Sequence, residues 1–592
     1  DPLWSRGLGD VYKRQGDSSV SNTIDISTAT VTKDGIGTLT LSGSSTYTGA
    51  TSINNGTLKL GAAGGSTNTP LGTVGSGTTV ASGATLDLNG YTLGTAEALT
   101  ISGTGYSTAG ALTNSSATDV TYSGLITLGA AATINASSGN IAISNVGTIT
   151  GATFTLTLDG TATGSSVASI IGTTTGGLIK NGTGTWTLSG ASTYTGATSI
   201  NNGTLKLGAA GGSTNTPLGT VGSGTTVASG ATLDLNGYTL GTAEALTISG
   251  TGYSTAGALT NSSATDVTYS GLITLGAAAT INASSGNIAI SNVGTITGAT
   301  FTLTLDGTAT GSSVASIIGT TTGGLIKNGT GTWSLSGVNT YSGDTTINAS
   351  GGTLQISSAG KLGSGSYAGA ISIGSSSTFK YSSSSAQTLS GVISGSGSLT
   401  KDTDSSSVLT LTNAGNTYSG AITISAGTLQ IGSAGVIGSG SYAGLMSIGS
   451  GSTFKYSSSA DQTLSNTISG QGQVIKDTSS SSTLTLGGDN TYSGGTTVSA
   501  GTLTANRSST PPTGTVTSGS FGTNTVTVQN GGALDLNGKT IANALSLIGT
   551  GISNKGALLN GSSTSAVANG GVTLTGDCLL YTSDAADDTP CV

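Results

Sequence analysis

Residues 45–186 recur without a single change as residues 192–333, an offset of 147. No other property of the chain restricts its fold as tightly, because long tandem copies at fixed spacing are the signature of stacked or radial repeat architectures. Looser copies follow, reading NTYSGDTTINASGGTLQI from Asn339, NTYSGAITISAGTLQI from Asn416 and NTYSGGTTVSAGTLTA from Asn490. The tyrosines that mark the copies are Tyr47, Tyr194, Tyr341, Tyr418 and Tyr492, spaced 147, 147, 77 and 74 residues apart. The long spacing is close to twice the short ones, which predicts a common coil stacked in whole numbers. Another long unit begins after Tyr492, where GGALDLNGKTIANALSLIGTG from Gly531 parallels SGATLDLNGYTLGTAEALTISGTG from Ser82.

Within a unit the hydrophobic period is two. Thr38-Leu39-Thr40-Leu41, Thr57-Leu58-Lys59-Leu60, Thr85-Leu86-Asp87-Leu88 and Thr153-Phe154-Thr155-Leu156-Thr157-Leu158 each put their apolar side chains on one face. Such alternation predicts half-buried strands. Between them stand Asn55-Gly56, Asn89-Gly90 and Asn181-Gly182, residue types that tolerate positive φ in turns. No stretch carries a helical stripe. Unequal but commensurate repeats favour a stack growing in one direction, in which each coil buries its apolar face against its neighbours. The expected fold is therefore all-β, a right-handed parallel β-helix. Coils of roughly 20–25 residues give about 25 rungs. At the ~4.8 Å strand spacing they make a rod on the order of 120 Å long.

The two ends read differently. SRGLGDVYKRQ at 5–15 and CLLYTSDAADD at 578–588 are both reading-frame translations of a transposon-type sequencing adapter. Residues 1–15 and 578–592 are accordingly set aside as adapter-derived, leaving Gly16–Asp577 as the repetitive β-helix body. Both cysteines, Cys578 and Cys591, leave with the tail, and the chain has no histidine. Losing Arg6, Lys13 and Arg14 lowers Lys+Arg from 16 to 13, and losing Asp1, Asp10, Asp584, Asp587 and Asp588 lowers Asp+Glu from 24 to 19, so the body carries −6. Weak acidity with scattered lysines gives no footprint for nucleic acid. No apolar run approaches the ~20 residues of a membrane helix. Charged residues make up only 7% and mean hydropathy is +0.15, which separates this Ser/Thr/Gly-rich chain from disordered ones.

The unit LIKNGTGTWTLSGASTYTGATSINNGTLKLG, 178–208, closely resembles the autotransporter-associated β-strand repeat. That family's pattern runs from an apolar-x-Lys start through a Gly-x-Gly turn, a Thr-Leu-Ser-Gly strand end and an Asn-Thr-Tyr-x-Gly corner to a Gly-Thr-Leu strand. Units start near 32, 178, 325, 399 and 474. In the last two, DTDSSS and DTSSSS replace the Gly-x-Gly turn, and Leu39 stands where the next two copies have Trp186 and Trp333. The resemblance implies a passenger exported across the outer membrane of a Gram-negative bacterium by a C-terminal β-barrel lying beyond this segment, and displayed at the cell surface or secreted. The lack of cysteine is similar to such passengers.

The chemistry available is narrow. Without His or native Cys there is no Ser-His-Asp or Cys-His constellation and no His-based metal site. Paired carboxylates remain, and Asp402 and Asp404 lie two apart beside Lys401, so they are candidates for a glycosidase pair. Their KDTDSSS context reads instead as a solvated turn. Asp87 and Asp234 read as surface residues outward of Leu86/Leu88 and Leu233/Leu235. The GGxGxDxUx nonapeptide of calcium-binding β-rolls does not occur. The marker tyrosines read as buried corners whose hydroxyls meet backbone rather than as a sugar-stacking platform, and Trp186 and Trp333 as core. A flat ice-binding Thr-x-Thr face is disfavoured by the unequal rungs.

No catalytic, cofactor-binding or metal residue is assigned, no cofactor is expected, and the chain is read as a non-enzyme. The expected role is a structural and adhesive surface passenger acting in adhesion, autoaggregation or biofilm. Its partners would be glycans, a host or neighbouring-cell surface, or further copies of itself, with no nucleic acid and no membrane contact by this segment. The rival reading is a β-helical polysaccharide hydrolase or lyase whose active part lies outside the segment.

Overall fold

The structure, a computed structural model, describes residues 12–13, 16–75, 77–222 and 224–579. The segments read as adapter-derived lie outside the described residues except for Tyr12–Lys13 and Cys578–Leu579. The chain divides into two compact units, Asp1–Asn292 and Val293–Val592. Each is a parallel β-solenoid of short strands. Among the described residues there is no α-helix, only single 3-10 turns such as Tyr106–Thr108 and Gly363–Gly365.

Alternation in the sequence becomes alternation across the wall. In Gly56–Leu60 the glycine, Leu58 and Leu60 are buried while Thr57 and Lys59 face outward. Leu39, Leu58, Leu86 and Leu112 then follow one another in register up the stack. Each fully buried aliphatic side chain contributes about 1.5–3 kcal/mol. A coil has three faces, and successive coils along one of them begin at Val31, Thr51, Thr78, Leu99 and Ile126. Along this face coil length thus runs from 20 to 27 residues. The longer ones hold excursions such as the hairpin Asn68–Thr69/Gly72–Thr73.

Repeat length and coil length do not divide evenly, contrary to the whole-number stacking expected. The Lys33 strand, Val31–Asp34, lies in one sheet of the first unit. Its copy Leu178–Lys180 lies in the neighbouring sheet, stacked through Leu156, Ala132, Leu112, Ala84 and Thr57 onto Thr38–Leu41. A 147-residue repeat therefore makes six full coils plus one face. The short repeats of the second unit behave likewise. Ser398–Lys401 sits three coils above Thr332–Leu335, one face on from the sheet that holds Leu325–Lys327.

Candidate functional site

Each repeat is organised around a buried lysine. Lys180 is 0% exposed, and its ammonium donates to the carbonyls of Asn181, Gly182 (2.9 Å) and Asn202 (3.1 Å). Two of those acceptors are in its own turn and the third is one coil further on. Lys33 gathers Asp34, Gly35 and Asn55 in the same way, and Lys327 gathers Asn328, Gly329 and Gly351. A turn leaves carbonyls aimed inward, and the ammonium satisfies them where water cannot reach. Burial lowers the pKa of all three, to about 8 for Lys180 and Lys327, against a weaker opposing pull from Asp159 and Asp306. Lys401 and Lys476 occupy the same place in the last two repeats, but with longer bonds: 3.2 Å to Asp402, Thr403 and Ala426, and 3.4 and 3.3 Å to Asp477 and Ser479.

After one further strand comes the tyrosine corner. Tyr47, Tyr194, Tyr341 and Tyr492 are fully buried, and each hydroxyl meets the threonine four residues on at 2.7–2.8 Å. Tyr418 alone meets backbone as expected, at Gly397 (2.8 Å) and Ala421 (2.7 Å). The corner closes a sheet. Asn416 accepts from the Ile393 amide (2.7 Å) and donates to the Val436 carbonyl (3.0 Å), so one side chain joins three successive coils. Asn490 caps Ile468 in the same way. Trp186 and Trp333 fill the core, each indole N–H donating to the carbonyl of Asp159 or Asp306 at 2.9 Å.

This lysine-to-corner segment is what a comparison with known families recognises. The passenger-associated-transport-repeat model matches residues 31–60, 178–207, 325–356, 405–431 and 479–505. The chain carries five copies of the passenger-associated-transport-repeat. The last two matches start after Lys401 and Lys476, where the turn departs from Gly-x-Gly, yet the lysine cradle is present there too. Neither a curated protein nor a solved structure matches the chain.

In this repetitive chain the carboxylates are held by the wall itself. Asp402 pairs with Lys380 at 2.8 Å and accepts from the Ser382 hydroxyl. Partial burial raises its pKa, but those bonds outweigh burial and leave it below the usual range. Asp404 caps its own turn through the Ser406 amide (2.8 Å) and hydroxyl (2.6 Å), which also lower its pKa. Neither is poised to hold a proton near neutrality, as a general acid must. The reading of Asp87 and Asp234 as surface residues needs correction: both point outward but are only 4% exposed. Ser115, from the coil above, covers Asp87 with hydroxyl (2.6 Å) and amide (3.1 Å), and Lys59 closes over it at 3.4 Å.

Two features were not read from the sequence. Glu97 and Glu244, the only glutamates in the chain, are 1% exposed. One carboxyl oxygen accepts from Thr78 or Thr225 (3.0 and 3.1 Å), and the other has no partner. Burial lifts both pKa values to about 7 against that single bond. Their rarity was the available signal. The second feature is a groove of about 690 Å³ on the outer face, floored by Thr38, Thr40, Thr57 and Lys59. One wall is the turn around Ala109, clipped down by Asn135, whose amide donates to the Ala109 carbonyl at 2.8 Å. Among the described residues no cluster of three or more His, Cys, Asp or Glu suits a metal.

Proposed function

We propose that this chain is part of an autotransporter passenger, displayed on or released from the surface of a Gram-negative bacterium, and that it acts in adhesion, autoaggregation or biofilm. The observation that carries this reading is the fivefold passenger-associated transport repeat built into a parallel β-solenoid. A solenoid of this kind presents outward Thr, Ser, Asn and Lys side chains on coil after coil. Many weak contacts of one type then add by multivalency, raising avidity by roughly 10²–10⁴ without a strong single site.

The test is gain and loss of function in a non-aggregating host. Cells displaying the chain on a carrier β-barrel should settle faster and retain more biomass on a surface than cells displaying the barrel alone. Protease shaving of the displayed chain should reverse both. Equal settling and attachment by the two strains would remove the adhesive role while leaving the family assignment intact.

A further inference from the structure

The outer groove of the first long repeat is a regular lattice of side chains. Thr38 and Thr40 lie on one strand, two residues apart and so on the same face; Thr57 and Lys59 stand opposite them one coil above. Strand geometry sets this lattice at roughly 4.8 Å between coils and about 6.8 Å along a strand. The hydroxyls of Thr38, Thr40 and Thr57 have no partner within the chain among the described residues, while their backbones are fixed in the ladder. Charge is compensated locally, since Lys59 leans on Asp87 and Ser115. The turn around Ala109 and the Ser115–Ser137 side make the face concave rather than flat.

The arrangement recurs. In the second copy Lys206 reaches Asp234 at 3.7 Å and Ser262 at 3.5 Å, and Thr185 and Thr187 face Thr204 and Lys206 in register. Both copies lie in the same compact unit. By the face-shift of the repeat they look out from neighbouring faces, six coils and about 30 Å apart along the stack at ~4.8 Å per coil.

We propose that these two grooves bind a neutral polysaccharide lying along the stack, about one sugar ring per coil. A pyranose repeat is close to the spacing between coils, so ring hydroxyls meet free threonine hydroxyls on the two coils of the floor. On the next two coils the Thr85 and Thr113 hydroxyls are already given to the Gly110 and Asn135 carbonyls. Rigid strand-borne donors and acceptors lose little entropy on binding, which is what a weak polar ligand requires. A charged polymer is not favoured, because the one cation of the floor is already paired. Concavity selects a chain of rings over a flat ice surface. The inference deepens the adhesive reading by naming a ligand class, but its test does not depend on cells.

The purified 592-residue chain is run by native electrophoresis through gels holding hydroxyethylcellulose, dextran or polygalacturonate. At least a twofold drop in relative mobility is expected with a neutral glucan. It should be halved by Thr57→Tyr and abolished by Thr57→Tyr with Thr204→Tyr, changes on outward positions that leave the far-UV circular dichroism unaltered. Thr40→Ala with Thr187→Ala, which remove hydroxyls without adding bulk, should weaken retardation to an intermediate degree. No retardation by either neutral glucan, or retardation unmoved by the double tyrosine variant, overturns the proposal. Retardation by polygalacturonate alone, lost in 0.3 M salt, overturns it in favour of simple charge attraction. No retardation, with settling and attachment of displayed cells intact, would defeat the groove and spare the adhesive role. Glucan binding without adhesion would do the reverse.

Discussion

The corner of the long repeat and the corner of the short repeat do the same work with different side chains. In the first unit Ser45 and Ser192 sit where the second unit has Asn339, Asn416 and Asn490. The Ser192 hydroxyl reaches the Ile171 amide at only 3.3 Å and otherwise points to its own turn, at Gly190. The asparagine is longer by one amide group, so it takes an amide below at 2.7–2.9 Å and still donates to a carbonyl of the coil above at 2.7–3.0 Å. The same contrast runs through the interior. Of the buried side-chain polar atoms left without a partner among the described residues, Thr46, Thr95, Glu97, Asn135, Thr242, Glu244 and Asn282 belong to the first unit and only Ser452 to the second. A repeat family thus keeps its backbone while the polar interior varies between fully and loosely satisfied. The loose copies are where opening should start.

The lysine cradles reverse that contrast, being tighter at Lys180 than at Lys401. Lys180→Ala strips the ammonium from three inward carbonyls and should cost about 3–5 kcal/mol, the penalty of several buried groups left unpaired. Lys401→Ala, whose bonds are all 3.2 Å, should cost about half as much in urea unfolding. Equal losses would mean that bond length at the cradle has no bearing on stability. Next in size is the corner exchange. Asn416→Ser should lose about 1–2 kcal/mol as its cross-coil bonds weaken. Ser192→Asn should recover part of that amount in the long repeat, and a destabilising Ser192→Asn would show that the long corner has no room for the amide.

The pH profile separates the units further. Glu97 and Glu244 hold their protons to about pH 7 when folded, against 4.5 for the free group. Between those values the unfolded chain binds fewer protons than the folded one, so stability must fall as pH rises through this window. Lys180 releases its proton from about pH 8 when folded rather than 10.5, so stability should climb again across that range. A thermal melt that monitors the first unit should therefore show a minimum between about pH 7 and 8. Glu97→Gln with Glu244→Gln should flatten the acid limb and leave the alkaline one. An unchanged acid limb would place its origin elsewhere. Smallest of all, Lys380→Ala should shift unfolding by about 0.5–1 kcal/mol, as expected for a pair still partly open to solvent.

Much of the wall was legible because period two is a local property. Leu58 and Leu86 declare the inner face within a few residues, and Trp186 and Tyr194 are too large and too regularly placed for anything but the core. Asp87 was misread because its cover, Ser115, arrives from the next coil 28 residues later. No local pattern announces that. The lysine cradle was visible as a motif but not as a mechanism, since the carbonyls it gathers carry no side-chain signature. The face-shift was hidden for an arithmetical reason. It depends on the remainder left when 147 is divided by a coil length that itself varies, from 20 to 27 along one face alone.

That remainder has a consequence for how such a gene can change. Identical tandem copies invite unequal recombination, which adds or removes them whole. Each such event would lengthen or shorten the stack by six coils and also swing everything beyond it a third of a turn. Variants differing by one repeat would thus present their distal features on another side of the molecule, and only a change of three would restore the original aspect. Copy number in this architecture is a setting of direction as well as of reach.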